Sequence, residues 1–160
     1  MKCVRTIAMA IVLSAACAAP ARADATVFIG ANLSPANREA VGGALGFGLL
    51  VVGFELEYAY TPDDPSASAP ALHTGSGNLM LQSPVEFMGI QPYFTIGGTV
   101  YRETLGDHQD TSVGLNTGGG AKIALIGPLG LRVDYRVLKL GSGALVSPSH
   151  RIYAGLNLKF

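Results

Sequence analysis

Eight successive stretches of alternating apolar and polar residues, almost no apolar recurrence at helical spacing, and connections that are by turns long and short predict an all-β fold. The arrangement that accommodates all three is an eight-stranded antiparallel up-and-down transmembrane β-barrel. Bulk composition agrees: 49% of the 160 residues are hydrophobic and only 14% charged, yet charges or prolines interrupt every run long enough to be a spanning helix. Such a chain must bury its apolar residues in a core or show them to lipid. Its net charge of zero gives no electrostatic footprint for nucleic acid.

The first segment reads as a leader. Lys2 and Arg5 precede an apolar run over 7–16, and Ala21-Arg22-Ala23 is a small-residue cleavage sequence, so residues 1–23 are expected to be a cleaved signal peptide and 24–160 the barrel domain. A lipoprotein signal with Cys17 as the lipidated residue is the competing reading, although Ser14 stands where such signals carry Leu. Both cysteines, Cys3 and Cys17, fall within the leader, which leaves the mature chain no disulfide and no thiolate metal site.

Strands are expected over 26–33, 41–49, 52–60, 75–82, 91–103, 111–125, 130–140 and 150–160. The third is the cleanest, with Val52, Phe54, Leu56, Tyr58 and Tyr60 opposite Gly53, Glu55, Glu57 and Ala59. The fourth is the weakest, because Met80 interrupts its polar face. Between them, 61–74 is rich in Pro, Asp and Ser and reads as a long loop; 105–110 and 141–149 read as two more, and a tight turn is expected at Leu50 and Val51. Long or polar connections after the odd strands and shorter ones after the even strands place the long loops at one rim, and both termini at the other.

Which face points inward follows from the glycines and the charges. Gly42, Gly46, Gly53, Gly118, Gly120 and Gly155 lie on the polar face, as expected where side chains crowd inside a narrow tube. Glu55, Glu57, Glu103 and Asp134 are nearly matched there by Lys122, Arg132, Arg136, Arg151 and Lys159. Buried charge is expensive unless paired, so Glu55 and Glu57 are expected to meet Lys122, Arg132 and Arg136 across a plugged polar lumen, with Glu103 and Arg151 as a separate pair. The opposite choice, apolar side inward, would make a soluble periplasmic lipocalin-like binder.

The last strand, H-R-I-Y-A-G-L-N-L-K-F, ends on an aromatic residue, with Tyr153, Gly155, Leu158 and Phe160 at the positions of a terminal assembly signal. Together with the leader and the eight alternating strands, it resembles the small bacterial outer-membrane barrels of the OmpA transmembrane-domain and OmpX group. The resemblance implies a Gram-negative outer membrane, export through the general secretory route, transient handling by periplasmic chaperones, and insertion by the barrel-assembly machinery. Outer-membrane lipid would then be its permanent partner and a monomer its expected state. The peptidoglycan-binding role of the domain often found after the OmpA barrel is not expected to carry over.

Catalytic and ligand-binding patterns are weak. Some barrels of this shape modify lipid A, but Ser149 and His150, being neighbours in a strand, point to opposite faces and make a poor nucleophile and base, and the deacylase His-x-Ser order is missing. Asp107, His108 and Asp110 lack the further ligand a metal site needs, and His73 is expected in an exposed loop. Gly118-Gly119-Gly120 has no following helix, so it cannot cradle phosphate. No enzyme activity, cofactor or metal is expected; the polar lumen reads as filling, and the loops 61–74 and 141–149 as the candidate surfaces for outside partners.

Overall fold

The computed structural model describes residues 22–49 and 51–160. Eight strands run β1 (Arg22–Asn32), β2 (Arg38–Leu49), β3 (Val52–Thr61), β4 (Ala71–Gln82), β5 (Ile90–Leu105), β6 (His108–Ile126), β7 (Leu129–Lys139) and β8 (Ser149–Lys159). Each pairs antiparallel with its sequence neighbour, and β8 returns to β1, so the sheet closes in the order 1 to 8. The leader expected over 1–23 lies almost wholly outside the described residues, as do Cys17 and Leu50 of the expected tight turn.

Period two carries through the strands, interrupted in β6 by a register shift between Ala124 and Ile126, and fixes which side is inside. Phe54 and Leu56 are 62% and 63% exposed, whereas Arg132 and Arg136 are fully buried. Val133, Ile152 and Leu156 stand on the outer wall, and Glu55, Glu57 and Asp134 face the interior. The lipocalin-like arrangement is thereby overturned: the interior is polar and the exterior apolar, as in transmembrane barrels. Strands of 10 to 19 residues match what a tilted strand needs to cross a bilayer.

Several strands are longer than the alternation suggests. β4 begins at Ala71, so His73 belongs to a strand, and β6 begins at His108, so the polar loop expected over 105–110 is a two-residue turn at Gly106 and Asp107. The physical reason is the ladder itself: Leu72 pairs with Glu103 and Glu103 with Asp110, and backbone pairing continues where side-chain polarity no longer signals it. The connection after β3 shortens to 62–70 and is held by a 3-10 turn, Pro65–Ala67. Asp64 caps that turn, accepting from Ser66 N at 3.1 Å, Ser66 Oγ at 2.6 Å and Ala67 N at 3.4 Å, and these bonds, the Ser66 hydroxyl first, hold its carboxyl below the usual range.

The inward glycines make room for aromatic rings. Phe28 and Tyr153 stack at 3.9 Å between ring centroids, 14° apart. A Cβ on Gly155 would lie 2.5 Å from Val27 O and 2.7 Å from Phe28 Cβ, and one on Gly42 would lie 2.4 Å from the Phe28 ring. Gly98, on the outer wall, has nothing within 4 Å of such an atom. Gly155→Ala is therefore expected to destabilise the folded barrel by roughly 1–3 kcal/mol through overpacking, and Gly98→Ala to leave it unchanged; urea unfolding in detergent micelles, followed by the mobility difference between folded and unfolded bands, measures both.

Candidate functional site

The lumen centre is an ionic cluster built from strands on opposite sides of the barrel. Arg132 and Asp134 lie two residues apart on β7, and the even spacing sends both inward, beside Arg136. Arg132 Nη1 pairs with Glu55 Oε2 from β3 and Nη2 with Asp134 Oδ2 at 3.1 Å. Arg136 reaches Glu55 Oε1 at 3.2 Å, Asp134 Oδ2 at 3.1 Å and Glu57 Oε2 at 2.9 Å. Arg151 of β8 pairs with Glu57 Oε1 and donates to Thr74 Oγ1 at 3.3 Å. Three carboxylates thus face three guanidiniums, and every member is buried.

Neutral groups complete it. Tyr93 donates to Asp134 Oδ2 at 2.5 Å while accepting from Arg132 Nε at 2.7 Å, and Tyr153 donates to Glu57 Oε2 at 3.2 Å. Asn78 donates to Glu55 Oε1 at 3.0 Å and accepts from Asn116 at 2.9 Å; Asn116 also donates to Thr99 Oγ1 at 2.9 Å. Arg132 lies over the Tyr93 ring at 4.8 Å and Arg151 over Phe28 at 5.7 Å. Arginine suits this role because its planar fork engages two carboxylates at once.

Of the residues the sequence singles out for the lumen, the structure joins Glu55, Glu57, Arg132, Asp134, Arg136 and Arg151, but two expected pairings are absent. Lys122 meets Asp24 near the terminal rim, away from either glutamate, because β6 has descended to that rim by Lys122 while Asp24 rises from it at the start of β1. Glu103 does not pair with Arg151, whose nearer carboxylate is Glu57; it accepts instead from the Leu145 backbone N–H at 2.8 Å, which draws the 140–148 connection over the mouth. Leu72, Tyr101, Leu138 and Leu140 pack beneath that connection as an apolar cluster. Sequence reading missed Asp24, Tyr93, Asn78 and Asn116, and also Arg38, which donates to Pro62 O at 2.9 Å, Ser34 O at 3.3 Å and Pro70 O. Period two does place Tyr93 and Asn78 on the polar face; their partners, more than 20 residues away, could not be read.

In the terminal strand, Tyr153 and Gly155 face inward and Leu158 and Phe160 outward. Lys159 pairs with Glu86 at 2.8 Å. Ser149 points inward to Asn32 at 2.9 Å, while His150 lies on the outer wall with Tyr135 Oη at 2.7 Å from its Nδ1, so the two do not form a nucleophile and base. His73 makes the same contact with Tyr58 at 2.8 Å across the same 15-residue spacing on the opposite hairpin. Asp110 accepts from Tyr101 at 3.0 Å, and among the described residues no group of three His, Cys, Asp or Glu side chains is placed to hold a metal.

A Glu55→Gln or Arg132→Met change leaves buried partners uncompensated and is expected to cost about 3–5 kcal/mol. The double variant should recover a large part of that loss; urea midpoints of the four proteins in micelles give the coupling.

No protein-family model matches the sequence, and no curated protein is significantly similar to it. Solved structures do match. The N-terminal β-barrel domain of Pseudomonas aeruginosa OprF superposes with a TM-score of 0.67 at 16% identity, over 87% of this chain and 97% of that one. Neisserial surface protein A (NspA) gives 0.66 at 21% identity over 88% and 96%. The outer-membrane enzyme PagL gives 0.52 at 12% identity over 86% and 98%. At these identities the likeness speaks to architecture, and the chain has the fold of the small eight-stranded outer-membrane β-barrels.

Proposed function

We propose that the protein is an integral outer-membrane barrel whose task is structural or surface-interacting and whose lumen is sealed. The observation that carries this reading is the inversion of the molecule: leucines, valines and phenylalanines outside, paired arginines and carboxylates within. In this reading residues 1–23 direct export through the general secretory route, periplasmic chaperones hold the chain, and the terminal strand, with Tyr153, Gly155, Leu158 and Phe160, engages the barrel-assembly machinery. The chain acts as a monomer surrounded by outer-membrane lipid, and the rim carrying the 33–37, 62–70 and 140–148 connections faces outward.

A lipid A modifying enzyme is the second reading, kept because PagL shares the fold. Against it stand Ser149 and His150 on opposite faces of β8. Sealing follows from the size of the tube and from the guanidiniums across it.

Membrane fractionation with gels of boiled and unboiled samples tests the main reading. The protein should sediment with outer membranes and change mobility on boiling; recovery in the soluble periplasm would refute it. Lipid A mass spectra from cells with and without the gene should be identical, and an added or lost acyl chain would favour the enzyme. In planar bilayers the purified protein should show no large, stable conductance.

A further inference from the structure

On the outer wall, β5 carries a cation where the rest of the strand is apolar or small. Arg102 follows Phe94, Ile96, Gly98 and Val100 on the same face and is exposed. Among the described residues no carboxylate forms an ion pair with it; its neighbour is the Gln109 side-chain amide on β6. A lipid-facing arginine is costly at the bilayer midplane and is tolerated only near the interface. Arg102 lies close to the end of β5, toward the loop rim.

The register sets His73 directly beside it. The Tyr60 ring lies against the His73 ring, 4.5 Å between centroids, and Tyr58 occupies Nδ1, which fixes the ring and leaves Nε2 as the nitrogen for a ligand. Tyr58, His73, Arg102 and Thr104 line a hollow of about 650 Å³, with the Asp107 carboxylate at its turn end. Tyr58 also lines a second, apolar groove of about 680 Å³, where Leu45 and Leu56 flank Gly43, Gly75 and Gly77. Polar head and apolar groove therefore meet at one tyrosine, and that is the outline of an amphiphile bearing negative charge.

We propose that the outer wall from β2 to β5 binds one lipid A molecule, with a phosphate at Arg102 and His73 on β5 and β4 and an acyl chain in the groove of β2, β3 and β4 below Tyr58. This inference rests on the outer-membrane reading, which puts the loop rim in the outer leaflet, where the abundant phosphorylated lipid is lipid A. Arg102 supplies the charge-assisted hydrogen bonds; His73 Nε2 and the Thr104 hydroxyl add further ones. The groove accepts the chain because its glycines leave the wall recessed between Leu45 and Leu56.

Native mass spectrometry of the refolded barrel in detergent tests it, with bisphosphorylated lipid A, its dephosphorylated form and phosphatidylglycerol as probes. One retained lipid A is expected, with affinity about tenfold lower in R102Q and about tenfold lower for the dephosphorylated probe, the loss of a charged hydrogen bond. R102K should keep most of the binding and H73A should lose part of it, while K139Q, which removes an exposed cation from β7, should change nothing. Phosphatidylglycerol should be held no better by the wild type than by R102Q. Equal lipid A binding by wild type and R102Q, an equal loss in K139Q, or phosphatidylglycerol held as tightly as lipid A would overturn the proposal. Failure of the underlying reading shows separately and earlier, as a chain that forms no heat-modifiable barrel in micelles before any lipid is added.

Discussion

The rest of the molecule depends on charge neutralisation in the buried polar interior of the barrel. Glu55, Glu57 and Asp134 are held among Arg132, Arg136 and Arg151, and all six are buried. With the outer wall given over to lipid, these groups have no route to solvent by snorkelling. Each charge must find its counter-charge across the tube. Arg136 alone contacts all three carboxylates, which ties β3 to β7, and Arg151 ties β8 to β3. Such a set is weak evidence for stability as such, because desolvation offsets much of the attraction. Its stronger effect is on register: slipping any of these strands by one residue would send a charge into hydrocarbon.

Packing around the cluster follows from the same confinement. Phe28 and Tyr153 occupy the space that Gly42 and Gly155 leave open, and Tyr93 lies over Gly120, where an added Cβ would sit 2.6 Å from the tyrosine oxygen. The rings also cover the guanidiniums, Tyr93 that of Arg132 and Phe28 that of Arg151. The two rims are closed by different means. Asp24 and Lys122 pair at one; at the other, Arg38 ties three backbone carbonyls from two connections, and Glu103 holds the 140–148 connection through the Leu145 amide.

What the sequence reveals and what it hides divide along one line. Alternation reports the face of each residue, since the side-chain period is two whatever the neighbours are; Phe54, Arg132 and Leu156 lie on the faces their parity predicts. Pairing is a different matter, because it depends on how far the closed sheet is sheared. Lys122 was expected at the glutamates and meets Asp24, 98 residues away, while Glu103 and Arg151, expected together, each find something nearer. Strand ends are hidden for a related reason. His73 and His108 look like loop residues because they are polar, but near a rim a polar residue is compatible with a strand on either face, and backbone pairing extends through both.

That last point bears on how the barrel sits in its membrane. Along the outer wall the polar residues gather on the loop side: Tyr58 and Tyr60 at the end of β3, His73 early in β4, Arg102 and Thr104 late in β5, Lys139 at the end of β7 and His150 at the start of β8. On the turn side the wall runs apolar to its edge through Leu49, Val52, Leu81, Ile90, Leu129 and Leu158. Tyrosine favours the boundary where an apolar ring and a polar edge are both accommodated, and charged or polar side chains are tolerated near it, so the loop-side ring marks one interface of the bilayer. The apolar edge lies within or at the limit of the other. A barrel with equal polarity at both ends could float by several ångströms; one with a ring at a single end is fixed in depth there, and the two Tyr–His pairs on opposite hairpins hold it level.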